Sequence, residues 1–537
     1  MPAQSTPQPS GNTGTIVRSA GSVGIAVMCS RVLGLIREQI FAGLFGAGYA
    51  YDAFVVAFRI PNLLRDLFAE GALSAAFVAV FTDYSTNRGP EATWRLAGNV
   101  LVFFSVLISL LTLAGLYLAE PIVNLMAPDF ALIPGKTELT VHLTRIMLPF
   151  LLFVSLAAVV MGILNTKGHF FVPAMSSTFF NLGSIVGGLS LAWLLPRFFG
   201  QPAIAGMAWG TLLGGMLQLL MQVPTLRRVG FRCRFHCNPA DPGLRRILKL
   251  MLPATIGLSA TQINIFVNTN FAASCVQGSV SWLNYAFRLV QLPIGLFGVA
   301  LSIAIMPVLA RQAATKNIGE LKATFTSSLV LVFALALPAT AGLILLAEPI
   351  IRIIFERGAF TAIDTSQTAQ ALLFYAIGLF AYAAIKVMVP VFYAIENTKF
   401  PVIGSFIGVG TNLLIISLVI DSLQHRGIAL STSCAMMLNF LFLGMVLYRK
   451  LGGYPLLYLF RGLAKIVAAT LVMTGAIRTM QPLLAGLSRG GLLEQALALA
   501  LLIGGGAALY GMMLVLLRLP ECSLLARKFA QRLRRSS

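Results

Sequence analysis

Fourteen stretches of predominantly apolar residues follow one another along the chain, separated by glycine, proline and clusters of charged residues. A helix needs about 20 consecutive, mostly apolar residues to cross a bilayer. Charged residues make up only 11% of the 537 residues, against about 25% in soluble domains. We therefore predict an all-α polytopic membrane protein with fourteen transmembrane helices. The predicted spans are 16–44, 50–82, 93–119, 139–164, 171–196, 203–224, 246–273, 280–310, 322–347, 366–395, 401–420, 427–448, 458–478 and 493–517.

The formal net charge of +21 is explained by membrane topology. A basic nucleic-acid-binding domain would be far poorer in large apolar residues, so we expect no nucleic-acid partner. With the N-terminus placed in the cytoplasm, 24 lysines and arginines fall on the cytoplasmic side and 7 on the opposite side. This bias follows the positive-inside rule and predicts that both termini are cytoplasmic.

The sequence contains an internal repeat. Residues 57–59 recur at 286–288, and residues 118–122 recur at 346–350, with six such matches in the same order at an offset of 228 to 232 residues. The repeat unit holds six predicted spans, an even number, so both copies insert the same way up. We predict two pseudo-symmetric six-helix lobes, spans 1–6 and 7–12, around a central cavity that holds the substrate.

The repeat and the loop charges together predict the domain organisation. Two further spans follow the repeat, and a basic tail ends the chain. The tail could bind anionic lipid, although fixing the topology is explanation enough. The predicted segments are a flexible N-terminal tail at 1–15, an N-lobe at 16–224, a basic cytoplasmic loop at 225–245, a C-lobe at 246–448, two additional spans at 458–517 and a basic cytoplasmic tail at 518–537.

Eight basic residues fall inside the predicted spans. A central arginine or lysine costs about 2.5–3.5 kcal/mol to insert, and such residues usually face an interior cavity. Arginine suits phosphate or carboxylate groups because its planar fork donates two parallel hydrogen bonds. Arg59 and Arg288 occupy equivalent repeat positions and predict a clamp for a doubly anionic group. The eight are Arg18, Arg31, Arg37, Arg59, Arg65, Arg145, Arg288 and Lys386.

A structural role is the alternative for some of these arginines. Residues 31–70 contain four arginines and four acids, so their charges sum to zero. Arg31 and Glu38 lie seven positions apart and share a helical face, as do Asp52 and Arg59. Internal ion pairs would then replace contacts with a substrate.

Signatures of enzymatic chemistry are missing from the sequence. It contains no phosphate-binding Gly-x-x-x-x-Gly-Lys-Ser/Thr loop and no His-Glu-x-x-His motif. Cys233, His236 and Cys237 lie close together, but no second ligand pair follows them, so we predict no zinc site. We expect a transporter without a cofactor rather than an enzyme.

Five segments carry a resemblance to a known family: 30–38 (SRVLGLIRE), 52–54 (DAF), 59–65 (RIPNLLR), 70–77 (EGALSAAF) and 284–293 (NYAFRLVQLP). They resemble the MurJ/MviN family of lipid II flippases, and the similarity runs over essentially the whole chain. The resemblance implies the fold of the multidrug/oligosaccharidyl-lipid/polysaccharide (MOP) exporters, with two lobes around a cationic cavity. It also implies that the last two spans form a groove for the lipid tail.

The resemblance implies a substrate, a location and a set of site residues. The substrate is lipid II, an undecaprenyl pyrophosphate that carries a disaccharide-pentapeptide. The location is the bacterial inner membrane, with membrane lipids and cell-wall synthesis proteins as neighbours. The family positions carry over to substrate-binding candidates Arg31, Arg37, Arg65, Arg288, Ser30, Asp52 and Lys386, and to Glu70 at a gate.

The sequence departs from the family pattern at three places. Phe287 and Gln291 stand where some members have acids flanking the arginine of the eighth span. Asp66 stands where some members have a second arginine. Some members also bind sodium in the second lobe, where Asn412 and Thr432 are the weak candidates here. Asn268 and Ile416 replace acids of that site. No firm metal site is predicted, and membrane potential or a monovalent ion is left as the driving force.

The predicted mechanism is alternating access, in which the lobes rock and the arginines hold the pyrophosphate. The main alternative is a small-molecule or drug antiporter of the same superfamily. Such a site favours acids and aromatic residues, whereas the spans here are net basic. A scaffold in a cell-wall assembly complex is a third alternative.

Overall fold

The computed structural model describes residues 13–67, 72–231, 238–488 and 490–521. The chain divides into two compact units. Unit 1 comprises Met1–Phe45 and Tyr49–Gln262, and unit 2 comprises Gly46–Gly48 and Ile263–Ser537. The predicted lobe limits at 224 and 246 stay predictions.

The helices up to the boundary between the units are mostly long and apolar. They are α1 (Thr13–Phe45), α2 (Tyr49–Arg65), α3 (Ala72–Asn87), α4 (Gly89–Tyr117), α5 (Ala119–Met126), α6 (Lys136–Met147), α7 (Phe150–Thr166), α8 (Phe171–Phe199), α9 (Ala203–Leu220), α10 (Val223–Arg228) and α11 (Pro242–Ser274), with a 3-10 turn at Pro128–Leu132. Helix α11 begins in unit 1 and ends in unit 2.

Unit 2 is likewise built mostly of long, apolar helices. Its remaining helices are α12 (Ser279–Pro293), α13 (Ala300–Ala314), α14 (Ile318–Leu345), α15 (Ala347–Phe355), α16 (Ala362–Ile377), α17 (Leu379–Ala394), α18 (Lys399–Leu423), α19 (His425–Lys450), α20 (Leu456–Leu483), α21 (Ala485–Ser488) and α22 (Leu492–Leu516). A π-helical turn at Ile294–Val299 joins α12 to α13.

Among the described residues, eleven helical segments are long and apolar enough to cross a membrane, and α16 with α17, bent by 43°, makes a twelfth. These twelve coincide with the last twelve predicted spans. The predicted spans 16–44 and 50–82 are not among them, and the second runs across residues 68–71, outside the described part. The protein is a multi-pass membrane protein, and the count of fourteen stays a prediction.

Helices α8 and α9 pack with their backbones in contact. A Cβ atom on Gly206 would lie 2.1 Å from the backbone nitrogen of Ala192, and one on Gly210 would lie 2.4 Å from Cα of Gly188. Small residues at four-residue spacing let membrane helices approach this closely. In the sequence the boundary between these two predicted spans is weak. The structure shows them as two separate helices in close contact.

The repeated segment at 118–122 and 346–350 folds in the same way in both units. The amides of Leu118 and Leu346 each donate the last hydrogen bond of the preceding helix. A short helix then follows in each case, α5 in unit 1 and α15 in unit 2. The internal repeat is therefore visible in local structure as well as in sequence.

Each unit has its own apolar core. In unit 1 the core is built on the aromatic residues Phe77, Phe81 and Phe104 of α3 and α4, packed against α7. In unit 2 helices α14, α17, α20 and α22 share one core. Helix α22 is tied to α14 by a 2.7 Å hydrogen bond from the Tyr510 hydroxyl to the carbonyl of Ala334. The two spans outside the repeat are thus integral parts of unit 2.

Candidate functional site

Arg37 belongs to a buried network on α1 and α2. Its Nη2 donates to Oε1 of Glu38 at 3.0 Å, and the Tyr51 hydroxyl donates to Oε2 of the same carboxylate at 2.7 Å. Arg37 is 8% exposed and Glu38 is 3% exposed, and the guanidinium lies 5.4 Å from the ring centre of Phe180. A buried acid thus balances the charge of Arg37, which agrees with the structural alternative for this arginine.

Asp52 forms a second buried ion pair. Nζ of Lys136 lies 3.0 Å from Oδ2 of Asp52, and the two side chains are 1% and 2% exposed. The ammonium also lies 4.1 Å from the ring centre of Phe130. The pair joins the start of α2 to the start of α6, so Asp52 has a structural partner whatever its relation to a substrate.

Lys136 is not among the predicted site residues, because its place between two predicted spans puts it with the seven basic residues on the side opposite the cytoplasm. The internal repeat offers a sequence signal for Lys136. Residue 364, at the repeat offset of 228 from Lys136, is Asp364, which accepts a 2.9 Å hydrogen bond from Nε1 of Trp282. Trp282 follows Ser281, the repeat equivalent of Asp52. A buried polar contact therefore joins equivalent helices in both units, α2 to α6 and α12 to α16.

Arg65 is held by its neighbour in sequence. Its Nε and Nη2 donate to Oδ1 of Asp66 at 3.1 and 2.9 Å. Nε2 of Gln262, on α11, lies 3.4 Å from the other carboxylate oxygen. The side chains of Arg65 and Asp66 are 25% and 33% exposed, so this pair keeps contact with solvent.

Ser30 lies where α1 meets α8, and Arg31 is the next residue of α1. The carbonyl of Ser30 accepts a 3.0 Å hydrogen bond from Nδ2 of Asn181. The Arg31 side chain is exposed, and it has no hydrogen bond or ion pair to the described part of the chain. Its guanidinium is therefore open to a ligand.

Arg59 and Arg288 are both half-buried, each in the middle of its helix. Pro61 follows the first and Pro293 the second, and beyond Pro293 the chain enters the π-helical turn at 294–299. Prolines and π turns are common causes of helix bends. The predicted clamp between these two arginines involves both units and stays a prediction.

Lys386 is exposed on α17. Glu70, the predicted gate residue, lies outside the described residues, as do Cys233, His236 and Cys237. Most of the basic tail, from residue 522 onward, is also outside them.

The candidate sodium residues of unit 2 form a neutral hydrogen-bonded cluster. Nδ2 of Asn412 donates to Oδ1 of Asn268 at 2.7 Å, and Nδ2 of Asn268 donates to the Thr432 hydroxyl at 3.1 Å. The Ser431 hydroxyl donates to Oδ1 of Asn412 at 2.9 Å. These oxygens already accept hydrogen bonds, and the nearby Ile416 is apolar and fully buried. The cluster offers no negative charge to offset a cation, so it does not fit a sodium site.

A further ion pair joins α3 to α11 within unit 1. The Asn87 amide donates to Oδ1 of Asp83 at 2.7 Å, and Nη1 of Arg246 donates to Oδ2 at 2.6 Å. These two hydrogen bonds, that from Asn87 first, lower the pKa of the Asp83 carboxyl below its usual value. The pair is partly exposed and contains none of the predicted site residues, which makes it a useful control.

Comparison with solved structures defines the fold. A multidrug resistance MATE family transporter of the MOP superfamily, in an inward-facing conformation, matches with a TM-score of 0.65 over 78% of this chain and 95% of that one. The identity is 17%, so this likeness shows the fold alone. The fold is that of a MOP-superfamily transporter, and the likeness does not favour the antiporter alternative.

The family follows from closer matches. The family model described as lipid II flippase MurJ matches residues 41–514, and the chain belongs to this family. A probable lipid II flippase MurJ of Vibrio cholerae is 35% identical over 94% of this chain and 96% of its own length. A lipid II flippase MurJ of Burkholderia cenocepacia is 34% identical over 86% and 89%. A solved lipid II flippase MurJ in an inward closed conformation is 28% identical, with a TM-score of 0.74 over 92% and 99%.

Proposed function

We propose that this protein is a transporter that moves lipid II from the cytoplasmic to the periplasmic leaflet of the bacterial inner membrane, for peptidoglycan synthesis. The observation that carries the proposal is the family match over residues 41–514 in a chain with arginines at membrane depth. The lipid, the surrounding membrane lipids and the cell-wall synthesis proteins that use the product are the expected partners.

The proposed mechanism is alternating access between two six-helix lobes in a chain of fourteen spans with both termini in the cytoplasm. Arg31, Arg37 and Arg65 of the first lobe and Arg288 of the second would bind the pyrophosphate. Charge-assisted hydrogen bonds from arginine to phosphate supply both affinity and geometry. The lobes then rock, and the headgroup leaves on the periplasmic side.

The arginines of the first lobe differ in how readily they can reach a substrate. Arg31 is exposed, and Arg65 is partly exposed in a weak pair. Arg37 is buried against Glu38 and Phe180. We infer that Arg31 and Arg65 make the first contacts with the pyrophosphate, and that Arg37, besides its contact with the substrate, also holds α1 and α2 in place.

The polyprenyl tail would lie along α20 and α22. These helices expose large apolar side chains, among them Leu471, Leu501 and Met512, and they pack firmly on the core of unit 2. A rigid apolar surface of this kind lets the tail stay in lipid while the headgroup crosses.

The test uses Arg65→Ala and Arg288→Ala in cells depleted of their own flippase. Each loses one charge-assisted contact, worth about 1.5–3 kcal/mol, so we expect lipid II translocation to fall tenfold or more and growth to stop. Membrane insertion, measured by immunoblot of the membrane fraction, should be normal.

The matched control is Arg352→Ala, which removes an exposed arginine that pairs with Glu348 on α15. This variant should translocate lipid II at the wild-type rate. Full complementation by Arg288→Ala would overturn the role of the second lobe's arginine.

A further inference from the structure

The carboxylate of Asp66 accepts two hydrogen bonds from the guanidinium of Arg65. Two guanidinium nitrogens, Nε and Nη2, donate to the same oxygen of Asp66 at 3.1 and 2.9 Å. These are the donors that a phosphate oxygen would use in a forked contact. Asp66 therefore takes the place that an anionic ligand of Arg65 would need.

A second helix anchors the carboxylate in this position. Oδ2 of Asp66 lies 3.4 Å from Nε2 of Gln262 on α11, and Gln262 is buried. When a ligand displaces Oδ1 from Arg65, the carboxylate keeps its contact with Gln262. The exchange therefore needs only a small movement of the Asp66 side chain.

The exposure of the pair makes the exchange inexpensive. Partly exposed ion pairs contribute little because solvent screens them, and the side chains here are 25% and 33% exposed. The pair between Arg37 and Glu38 is 10% and 4% exposed, and breaking a buried pair is far more costly. Of these two pairs, the one at Arg65 is suited to open and close in each transport cycle.

We propose that Asp66 is a positioning residue that acts through Arg65: a resident counter-anion that competes with the pyrophosphate and takes its place on the guanidinium after release. This inference rests on the proposed function. It has two consequences for a carrier that must bind and then let go. Asp66 weakens binding enough for the product to leave, and it offsets the charge of Arg65 during the return step.

The second consequence follows from the energy of charge in lipid. A charged side chain inside the spans is costly, and the Asp66 carboxylate offsets part of that cost at Arg65 when no ligand is bound. Loss of Asp66 should therefore slow the return step while it tightens binding.

The experiment is Asp66→Asn in the full-length protein, with two readouts. Lipid II binding to the purified protein in detergent should tighten by about two- to fivefold, the range that an exposed pair allows. Multiple-turnover flipping of lipid II in proteoliposomes should slow. Asp66→Glu should restore both values toward wild type, and the control Asp83→Asn, which breaks the pair with Arg246, should change neither.

A purely structural role for Asp66 predicts a different result. In that case Asp66→Asn would lower the melting temperature and weaken binding and flipping together, and our inference would be wrong. If Asp66→Asn is unstable in detergent, Asp66→Ser removes the same charge and is read in its place. Unchanged affinity and rate in a stable variant would also overturn the inference.

The proposed function fails in a separate way. Failure of the wild-type protein to bind or flip lipid II, or full activity of Arg65→Ala, would contradict the flippase proposal itself. An inactive Arg65→Ala together with an unaltered Asp66→Asn would leave the flippase proposal standing and remove only the role of Asp66.

Discussion

Asp52 and Lys136 show how strongly a single buried charge depends on its partner. Both side chains are almost completely buried and lie 3.0 Å apart. Removing one member of a buried pair leaves the other charge uncompensated, at a cost of about 3–5 kcal/mol. Replacing both with apolar residues of similar size is often neutral or even stabilising.

We therefore predict that Lys136→Met destabilises the purified protein by about 3–5 kcal/mol, while Asp52→Leu with Lys136→Met recovers most of that loss. Thermal unfolding in detergent measures both. The exposed pair of Glu348 and Arg352 is the control, because Glu348→Gln should change stability by less than about 1 kcal/mol. Equal melting temperatures for Lys136→Met and wild type would contradict the prediction.

For single residues, the sequence predicts which charges fall in the apolar stretches but not which of them are paired. Arg37, Asp52 and Arg65 all stand out as costly charges in apolar stretches. The partner of Asp52 lies 84 residues away in the chain, and no local pattern connects the two. The pairing of Arg65 with Asp66 is between neighbours, but its geometry depends on how the end of α2 is shaped.

Among the elements, α8 and α9 owe their contact to glycine. A Cβ atom on Gly206 or Gly210 would clash with the backbone of α8. Any side chain at these positions must therefore push the two helices apart. In α22, by contrast, a Cβ on Gly504 meets nothing within 4 Å.

We predict that Gly206→Ala lowers stability by about 1–3 kcal/mol, the usual range for overpacking. Gly504→Ala should be neutral or stabilising by about 0.5–1 kcal/mol, because alanine favours a helix interior. The melting temperatures of the two variants in detergent test this. A Gly206→Ala protein as stable as Gly504→Ala would show that the contact between α8 and α9 is looser than described.

The bend between α16 and α17 is a feature that hydropathy does not predict. The sequence predicts one span at 366–395, and the structure bends it by 43° next to Gly378. A Cβ on Gly378 would lie 2.7 Å from Cα of Ser433, and the Ser433 hydroxyl donates to the carbonyl of Phe374 at 2.7 Å. A neighbouring helix thus satisfies a carbonyl at the bend. Apolar length predicts the span, whereas the bend depends on a partner from α19.

At the scale of the whole molecule, the charges of the spans and the neutral cluster of unit 2 bear on what drives transport. The neutral cluster around Asn268 and Asn412 has no carboxylate to attract sodium. The membrane potential is worth about 2.3 kcal/mol per charge per 100 mV, which is enough to bias a carrier with charged residues in its spans. We propose the potential as the main source of energy.

We predict that lipid II flipping in cells stops when the potential is dissipated and is unchanged when sodium is replaced by potassium. The melting temperature of the purified protein should likewise be the same in either salt. Asn268→Asp is the matched variant, because it adds the missing charge and should create a sodium-dependent rise in melting temperature. A rise of that kind in the wild-type protein would contradict the neutral-cluster interpretation.

The distance in sequence between Asp52 and Lys136 also constrains how the protein is made. Ribosomes add about 5–20 residues per second, so Asp52 emerges roughly 4–17 seconds before the residue that neutralises it. Until then the Asp52 carboxylate lacks its Lys136 partner, and a charged side chain is costly to insert into lipid. We expect α2 to wait beside the insertion machinery until α6 arrives, so that the first helices of unit 1 enter the bilayer as a group.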